Sequence, residues 1–307
     1  MSSSPVDSLW RLEGVPLRAL MVRIWKSVIA DRLFGHAAEL GFYFLFSLFP
    51  TLFCAGSLLG LAAQSAHAIY IRLLDYLALV IPTSALATVL NTFNQTAAAA
   101  SSGKVTFGLI AALWSASVGI SAIQDTLNVV YKIHDSRSYF VARIYAIGLT
   151  LLLTIVVTLG LASMLGGDVA AKLAHLRLPN PYLAEVADIS ARVAGRLVAM
   201  VMLLLSFAMI YYWAPDWQKR RWRWFTPGGV FGIVGWLAAS IGLRVYLHFF
   251  RNYAVTYGSL GAVIILLTWF YLTGLMLLLG AEINSEIEAA ATAARLSRTE
   301  RAESTGA

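Results

Sequence analysis

Residues Gly258 to Ala281 read GSLGAVIILLTWFYLTGLMLLLGA, a run with no charged side chain. A helix rises about 1.5 Å per residue, so about 20 apolar residues cross a hydrocarbon core with every backbone amide bonded inside the helix. The same signature recurs at Ala37 to Ala63, Val105 to Val129, Ile144 to Leu165, Leu197 to Trp213 and Gly228 to Phe250. Composition points the same way. The 307 residues are 59% hydrophobic and 13% charged, with a mean hydropathy of +0.72, whereas a soluble domain carries about 25% charged residues. The expectation is an all-α polytopic membrane protein of six transmembrane helices plus amphipathic interfacial helices.

The segments between the spans carry their own signals. Leu17, Leu20, Met21, Ile24, Trp25 and Val28 recur at helical spacing, with Arg18, Arg23, Lys26 and Arg32 on other faces. That pattern predicts a helix lying in the membrane interface. Ala68 to Phe93 is apolar but broken by Arg72, Asp75 and Ile81-Pro82, which predicts two short helices at one membrane surface. Asp168 to Arg192, with Pro179 and Pro181, reads as a long, partly helical connection. The charges among Leu17 to Lys26 do not fit a cleaved signal peptide, so the chain is expected to be retained whole. The domain reading is an N-terminal segment over 1–36, a transmembrane domain over 37–284 and a C-terminal tail over 285–307.

Most of the 23 Lys and Arg residues fall on one side of this map: Arg11 to Arg32, then Lys132, Arg137 and Arg143, then Lys219, Arg220, Arg221 and Arg223, then Arg295, Arg298 and Arg301. The richer side is expected to be cytoplasmic, which puts both termini there. The net charge of +7 is thereby explained without a nucleic-acid partner. Trp217, Trp222 and Trp224 among the loop cations fit an interfacial aromatic belt better than a base-stacking surface. The one cysteine, Cys54, excludes an internal disulfide and a cysteine metal cluster.

Charged residues inside a span cost about 2.5 to 3.5 kcal/mol at its centre and need a reason to be there. Glu39, Asp125 and Glu282 lie toward the cytoplasmic ends of three spans. Ser117, Ser121, Gln124 and Asn128 make a polar stripe on the second span, while Glu39, Tyr43 and Ser47 repeat every four residues on the first. Two readings stand side by side. The carboxylates line a polar cavity and bind cations or protons, or they sit at headgroup level, cap helices and pair with loop arginines. On the fifth span Ser240, Arg244, His248 and Arg251 share a face that either holds an anionic headgroup or pairs with other helices while Arg251 snorkels outward. The substrate or ion pathway expected from these residues comprises Glu39, Tyr43, Ser117, Ser121, Gln124, Asp125, Asn128, Arg244, His248, Arg251 and Glu282.

The five histidines have no ligand spacing, and no nucleophile elbow or phosphate-cradling glycine loop appears, so neither catalysis nor a cofactor is expected.

Several ordered motifs resemble the YihY/BrkB membrane-protein family. They are Ala37-Ala38-Glu39-Leu40-Gly41-Phe42-Tyr43 with Ser47-Leu48-Phe49-Pro50, Leu113-Trp114-Ser115-Ala116-Ser117, Tyr212-Trp213-Ala214-Pro215, Thr226-Pro227-Gly228-Gly229, Tyr257-Gly258-Ser259-Leu260-Gly261 and Leu279-Gly280-Ala281-Glu282-Ile283-Asn284. The resemblance runs from about Leu17 to Glu288. It implies a multi-pass protein of the bacterial inner membrane; the family has carried ribonuclease and virulence labels, and members are linked to envelope lipid or lipopolysaccharide transport or to cation exchange. Together the residues and the resemblance lead to an expected transporter of an amphipathic or anionic, lipid-like envelope substrate. The partners would be membrane lipids and an anionic lipid or lipopolysaccharide-like molecule, and a homo-oligomer is compatible with the pattern. A cation/proton antiporter and a non-transporting scaffold are the alternatives.

Overall fold

The computed structural model describes residues 16–61, 91, 102–216, 226–249 and 259–305. Among these it contains seven helices and no strand: α1 (Leu17–Ala30), α2 (Leu33–Leu61), α3 (Ser102–Val130), α4 (Tyr139–Arg177), α5 (Pro181–Trp213), α6 (Pro227–Phe249) and α7 (Ser259–Thr305). Helices α3 to α7 are each long and apolar enough to cross a membrane. α2, at 29 residues, has the length for the sixth crossing, and its sequence is apolar from Leu40 to Leu61. The expected short helices of Ala68 to Phe93 lie outside the described residues apart from Asn91, as do Arg251 and the loop cations Lys219, Arg220, Arg221 and Arg223.

α2, α3, α6 and α7 form a bundle, with α1 laid against α7 and α2, and α4 paired along its length with α5. Leu33, Leu40, Leu127, Val130 and Leu278 fill the bundle core. Outward, Phe107, Ile110, Ile155, Leu197, Val234 and Ile241 are exposed, an apolar girdle far larger than a soluble monomer leaves uncovered. α1 is apolar on two sides: Leu20 packs with Ile287, Ile24 and Ile283, while Leu17, Met21 and Trp25 (63% exposed) face away. A helix anchored by one apolar edge, with a second left over, suits a bilayer interface.

Two local devices explain the ordered motifs. Pro50 inside α2 has no N–H to give the carbonyl of Phe46, one turn earlier. Ser115 of α3 donates its hydroxyl to that carbonyl instead, at 3.4 Å, the kind of repair a proline needs in hydrocarbon. At the other end of the bundle, Asn284 of α7 caps α6. Its Oδ1 accepts from Gly228 N at 2.9 Å, its Nδ2 donates to Thr226 Oγ1 at 3.0 Å, and that same oxygen accepts from Gly229 N at 3.1 Å. The open N–H groups of a helix start are thus satisfied from a neighbouring helix. Glycine is required here, because a Cβ on Gly228 would land on the carbonyl oxygen of Gly280 and on the Asn284 amide.

The stretch Asp168 to Arg192, expected to be partly helical, is helical except for a three-residue turn. α4 continues to Arg177, and only Leu178, Pro179 and Asn180 separate it from α5. Asn180 accepts from Tyr182 N at 2.9 Å and Pro181 opens the helix, where its missing N–H costs nothing. α7 likewise runs unbroken through residues 284 and 285.

Candidate functional site

The C-terminal end of α1, the start of α2, the ends of α3 and α5, the starts of α4 and α6, and Glu282 of α7 gather at one end of the bundle, here termed the basal end. Two non-glycine residues adopt left-handed backbone there: Arg32 (φ 51) between α1 and α2, and Lys132 (φ 56) just past α3. Each costs about 1 to 2 kcal/mol relative to a right-handed residue, so surrounding contacts must hold them in place.

Glu282 is 0% exposed, and neither carboxyl oxygen has a hydrogen-bond partner among the described residues. Its charged neighbours are Asp31, Glu286 and Lys132. Ser27 of α1 donates to Glu286 Oε1, one turn beyond Glu282 on α7, at 2.7 Å. Lys132 Nζ stands 3.4 Å from that same oxygen. Burial pushes the Asp31 carboxyl above the usual carboxylate range, with Lys132 pulling it back, Glu286 pushing it further and His36 opposing. One Asp31 oxygen, Oδ2, is buried without a partner among the described residues.

A second constellation lies where the α3–α4 turn meets the end of α5. Arg137 donates from Nε to Asp135 Oδ1 at 3.0 Å and from Nη2 to Asp135 Oδ2 at 2.7 Å. It also reaches the Ala214 carbonyl and comes within 3.6 Å of Asp216. Those hydrogen bonds hold the Asp135 carboxyl below the usual range against the opposing effect of burial. Asn128 ties the cluster to α3, donating to Asp135 at 2.8 Å and accepting from Asp216 N at 2.9 Å. Arg137, Val141, Tyr145, Tyr212, Trp213, Pro215 and Asp216 line a cavity of about 350 Å³. Tyr145 and Trp213 also belong to the wall of an apolar cavity of about 280 Å³ formed with Ile144, Gly148, Leu149 and Leu152. The polar cavity and the apolar one therefore adjoin along α4, with Tyr145 and Trp213 as their common wall. A further crevice of about 350 Å³ between α2, α3 and α4 is lined by Phe44, Ser47, Thr150 and Thr154. The Thr150 and Thr154 hydroxyls are turned back on carbonyls of their own helix.

The residues singled out from sequence divide between these places. Glu39 is exposed and 3.4 Å from His36. Asp125 is also at the surface, with Asp135, Glu39 and Arg137 as its charged neighbours. The two acids share one neighbourhood, while Glu282 belongs to the other. Tyr43 packs against the core. Ser117, Gln124 and Asn128 are buried, so the polar stripe faces inward, yet much of it is spent internally. Ser117 donates to the Trp114 carbonyl, and Ser121 accepts from Arg143 at 3.2 Å while Arg143 also lies over the Trp114 ring. Gln124 Nε2 alone in the stripe is buried without a partner among the described residues. On α6, Ser240 is buried and accepts from Trp269 Nε1 at 3.2 Å. Arg244 is half-buried, and His248 is exposed against the Phe249 ring. Ser27, Asp31, Lys132, Asp135, Arg137, Asp216 and Glu286 were not anticipated. The mixed-charge triplet Asp135-Ser136-Arg137 was the one available signal.

Apolar crossings, a polar network at one end and a groove with a polar mouth define a polytopic all-α membrane protein built around interfacial chemistry. The chain belongs to the family described as virulence factor BrkB, which matches residues 24–305. It is 35% identical over 256 residues to a putative ribonuclease-like protein YfkH of Bacillus subtilis, covering 82% of this chain and 88% of that one. It is 27% identical over 277 residues to a UPF0761 membrane protein of Stenotrophomonas maltophilia and 28% identical over 267 residues to one of Xanthomonas oryzae. In both cases the match takes in 87% of this chain and 60% of the relative's length. No solved structure matches significantly.

Proposed function

We propose that the protein moves an amphipathic, lipid-like envelope molecule, and that the molecule enters sideways along α4. The observation that carries this reading is that the polar cavity at Arg137, Tyr212 and Asp216 adjoins the apolar one at Ile144, Gly148 and Leu152, with Tyr145 and Trp213 lining both. A site built this way orients a molecule with one polar and one greasy end. Charge narrows the headgroup. Arg137 is engaged by Asp135 and faces Asp216, so two carboxylates stand against one guanidinium and the mouth favours an amine-bearing headgroup over a purely anionic one. In liposomes, a photoactivatable phosphatidylethanolamine analogue should label residues 141–152 and 212–216 in preference to the rest of the girdle. A phosphatidylglycerol analogue should label them less, and Trp213→Ala should weaken the labelling. Labelling spread evenly around the bundle, or indifferent to headgroup, overturns the reading. Cation/proton exchange is the second reading, favoured by the buried carboxyl of Glu282.

The orientation we propose places the basal end in the cytoplasm of a bacterial inner membrane. Arg18, Arg23, Lys26, Arg32, Lys132, Arg137 and Arg143 all sit there, as the positive-inside rule requires. Cysteines introduced at Ser136 and near Asn180 test it: an impermeant reagent applied to intact cells should modify the second and spare the first. The reverse pattern inverts the map.

A further inference from the structure

The acid cluster beneath α1 is a site that the groove reading does not use. Glu282 is fully enclosed, with both oxygens unpartnered among the described residues, and a buried carboxyl in that condition lacks an occupant. Among the described residues no three metal-ligating side chains are grouped as a metal ion would need. The occupant that fits is a proton, because an O–H on Glu282 would have an acceptor. Glu282 stands one turn before Glu286 on the same face of α7, which sets it beside the Ser27 oxygen, whose own hydrogen is given to Glu286 at 2.7 Å. A hydroxyl that accepts on one side and donates on the other is a relay.

We propose that Glu282, Ser27 and Glu286 form a proton relay across the contact of α1 with α7, with Lys132 holding its outer end. In the transfer, the Glu282 carboxyl gives its proton to Ser27 Oγ as Ser27 passes its own to the Glu286 carboxylate. Ser27 ends unchanged, Glu282 is left as carboxylate and Glu286 as acid. Glu286 then releases the proton to water at the basal surface. The Lys132 ammonium, 3.4 Å from Glu286, offsets the negative charge in the cluster before and after the step. The route leads outward by degrees of exposure, from 0% at Glu282 to 8% for the side chain of Glu286 and 59% for that of Lys132. Asp31, closing α1, adds a further carboxyl beside Glu282 and Glu286, and His36 of α2 faces Asp31. α1 supplies the middle member of the chain, so its seating on α7 through Leu20, Ile24, Ile283 and Ile287 decides whether the relay is connected.

The full-length protein in liposomes, with no added substrate, provides the test. Infrared difference spectra at neutral pH should show a protonated carboxyl that disappears in Glu282→Gln. Transfer to deuterated buffer should shift that band. Ser27→Ala should leave the band in place but slow its deuteration about tenfold or more, and Ser27→Thr, which keeps the hydroxyl, should restore the rate. A wild-type protein without the band, a band that survives Glu282→Gln, or deuteration unchanged in Ser27→Ala each overturn the relay. Lipid labelling plays no part in these measurements, so the groove and the relay stand or fall separately.

Discussion

Along α4 and α5 the helices meet through small residues. A Cβ on Gly195 would come 2.5 Å from the Ser163 carbonyl oxygen, and one on Gly167 would come 2.7 Å from that of Ala191. Across this stretch Ser163 Oγ donates to the Gly195 carbonyl at 3.0 Å. The contact of α6 with α7 also rests on glycines, Gly228 and Gly280, but Asn284, Thr226 and the hydroxyl of Tyr211, which donates to the Leu277 carbonyl at 2.8 Å, are stitched through it. The contrast follows from surroundings. Lipid is as apolar as leucine, so close van der Waals fit alone joins a lipid-facing pair, whereas an enclosed pair must also satisfy the polar groups it hides.

Alanine at matching places separates the two strategies most sharply. Gly228→Ala sets a methyl against both a backbone carbonyl and the capping amide, with no flexible side chain to yield. It should destabilise the protein by about 3 kcal/mol or more. Gly195→Ala meets the backbone of α4 alone, with no capping side chain in the contact, and should cost about 1 to 2 kcal/mol. Thermal unfolding in detergent reads both. Equal losses, or the larger loss at Gly195, would mean that the hydrogen bonds around Asn284 add no rigidity.

The smallest expected effect concerns the polar tie between these regions. Asp135 has a folded-state value below its ordinary one near about 3.9, through its hydrogen bonds from Arg137. A lowered carboxylate contributes stability that is present above the unfolded value and lost as pH falls through the folded one. The unfolding temperature should therefore carry no Asp135 contribution to its change between about pH 7 and pH 5, and a downward limb should set in below about pH 4. Asp135→Asn should flatten part of that limb. An Asp135-dependent limb centred above pH 5 would place the group's folded value on the wrong side.

Much of this architecture is legible in sequence because hydrocarbon thickness is a ruler: the described part of each expected crossing is helical. The ruler measures only the membrane. α4, α5 and α7 continue beyond it because pairing, not lipid, holds their ends, and the polar residues of 168–192 resemble a loop until their partner helix is known. Asn180-Pro181 was a readable helix start, a capping side chain followed by proline, although Pro179 beside it suggested disorder of the pattern. Site residues divide in the same way. Glu282 stands out as an acid next to an apolar run, but Ser27, Lys132 and Glu286 are unremarkable in their own segments. Packing alone assembles them, and the left-handed backbone at Arg32 and Lys132 has no signature in either residue's identity.

The α4–α5 pair has one mechanical consequence. At 39 and 33 residues the helices are about 58 and 50 Å long, and small residues around Gly167 and Gly195 pin them together part of the way along. Two stiff rods fastened at a rivet and joined at one end by only Leu178, Pro179 and Asn180 behave as tongs. From Gly167 to Gly148, beside the groove, is about 28 Å, and from Gly167 to the tip at Arg177 about 15 Å. Whatever wedges the long arms apart beside the groove therefore bends the helices against a closed end and does not open the opposite face of the membrane.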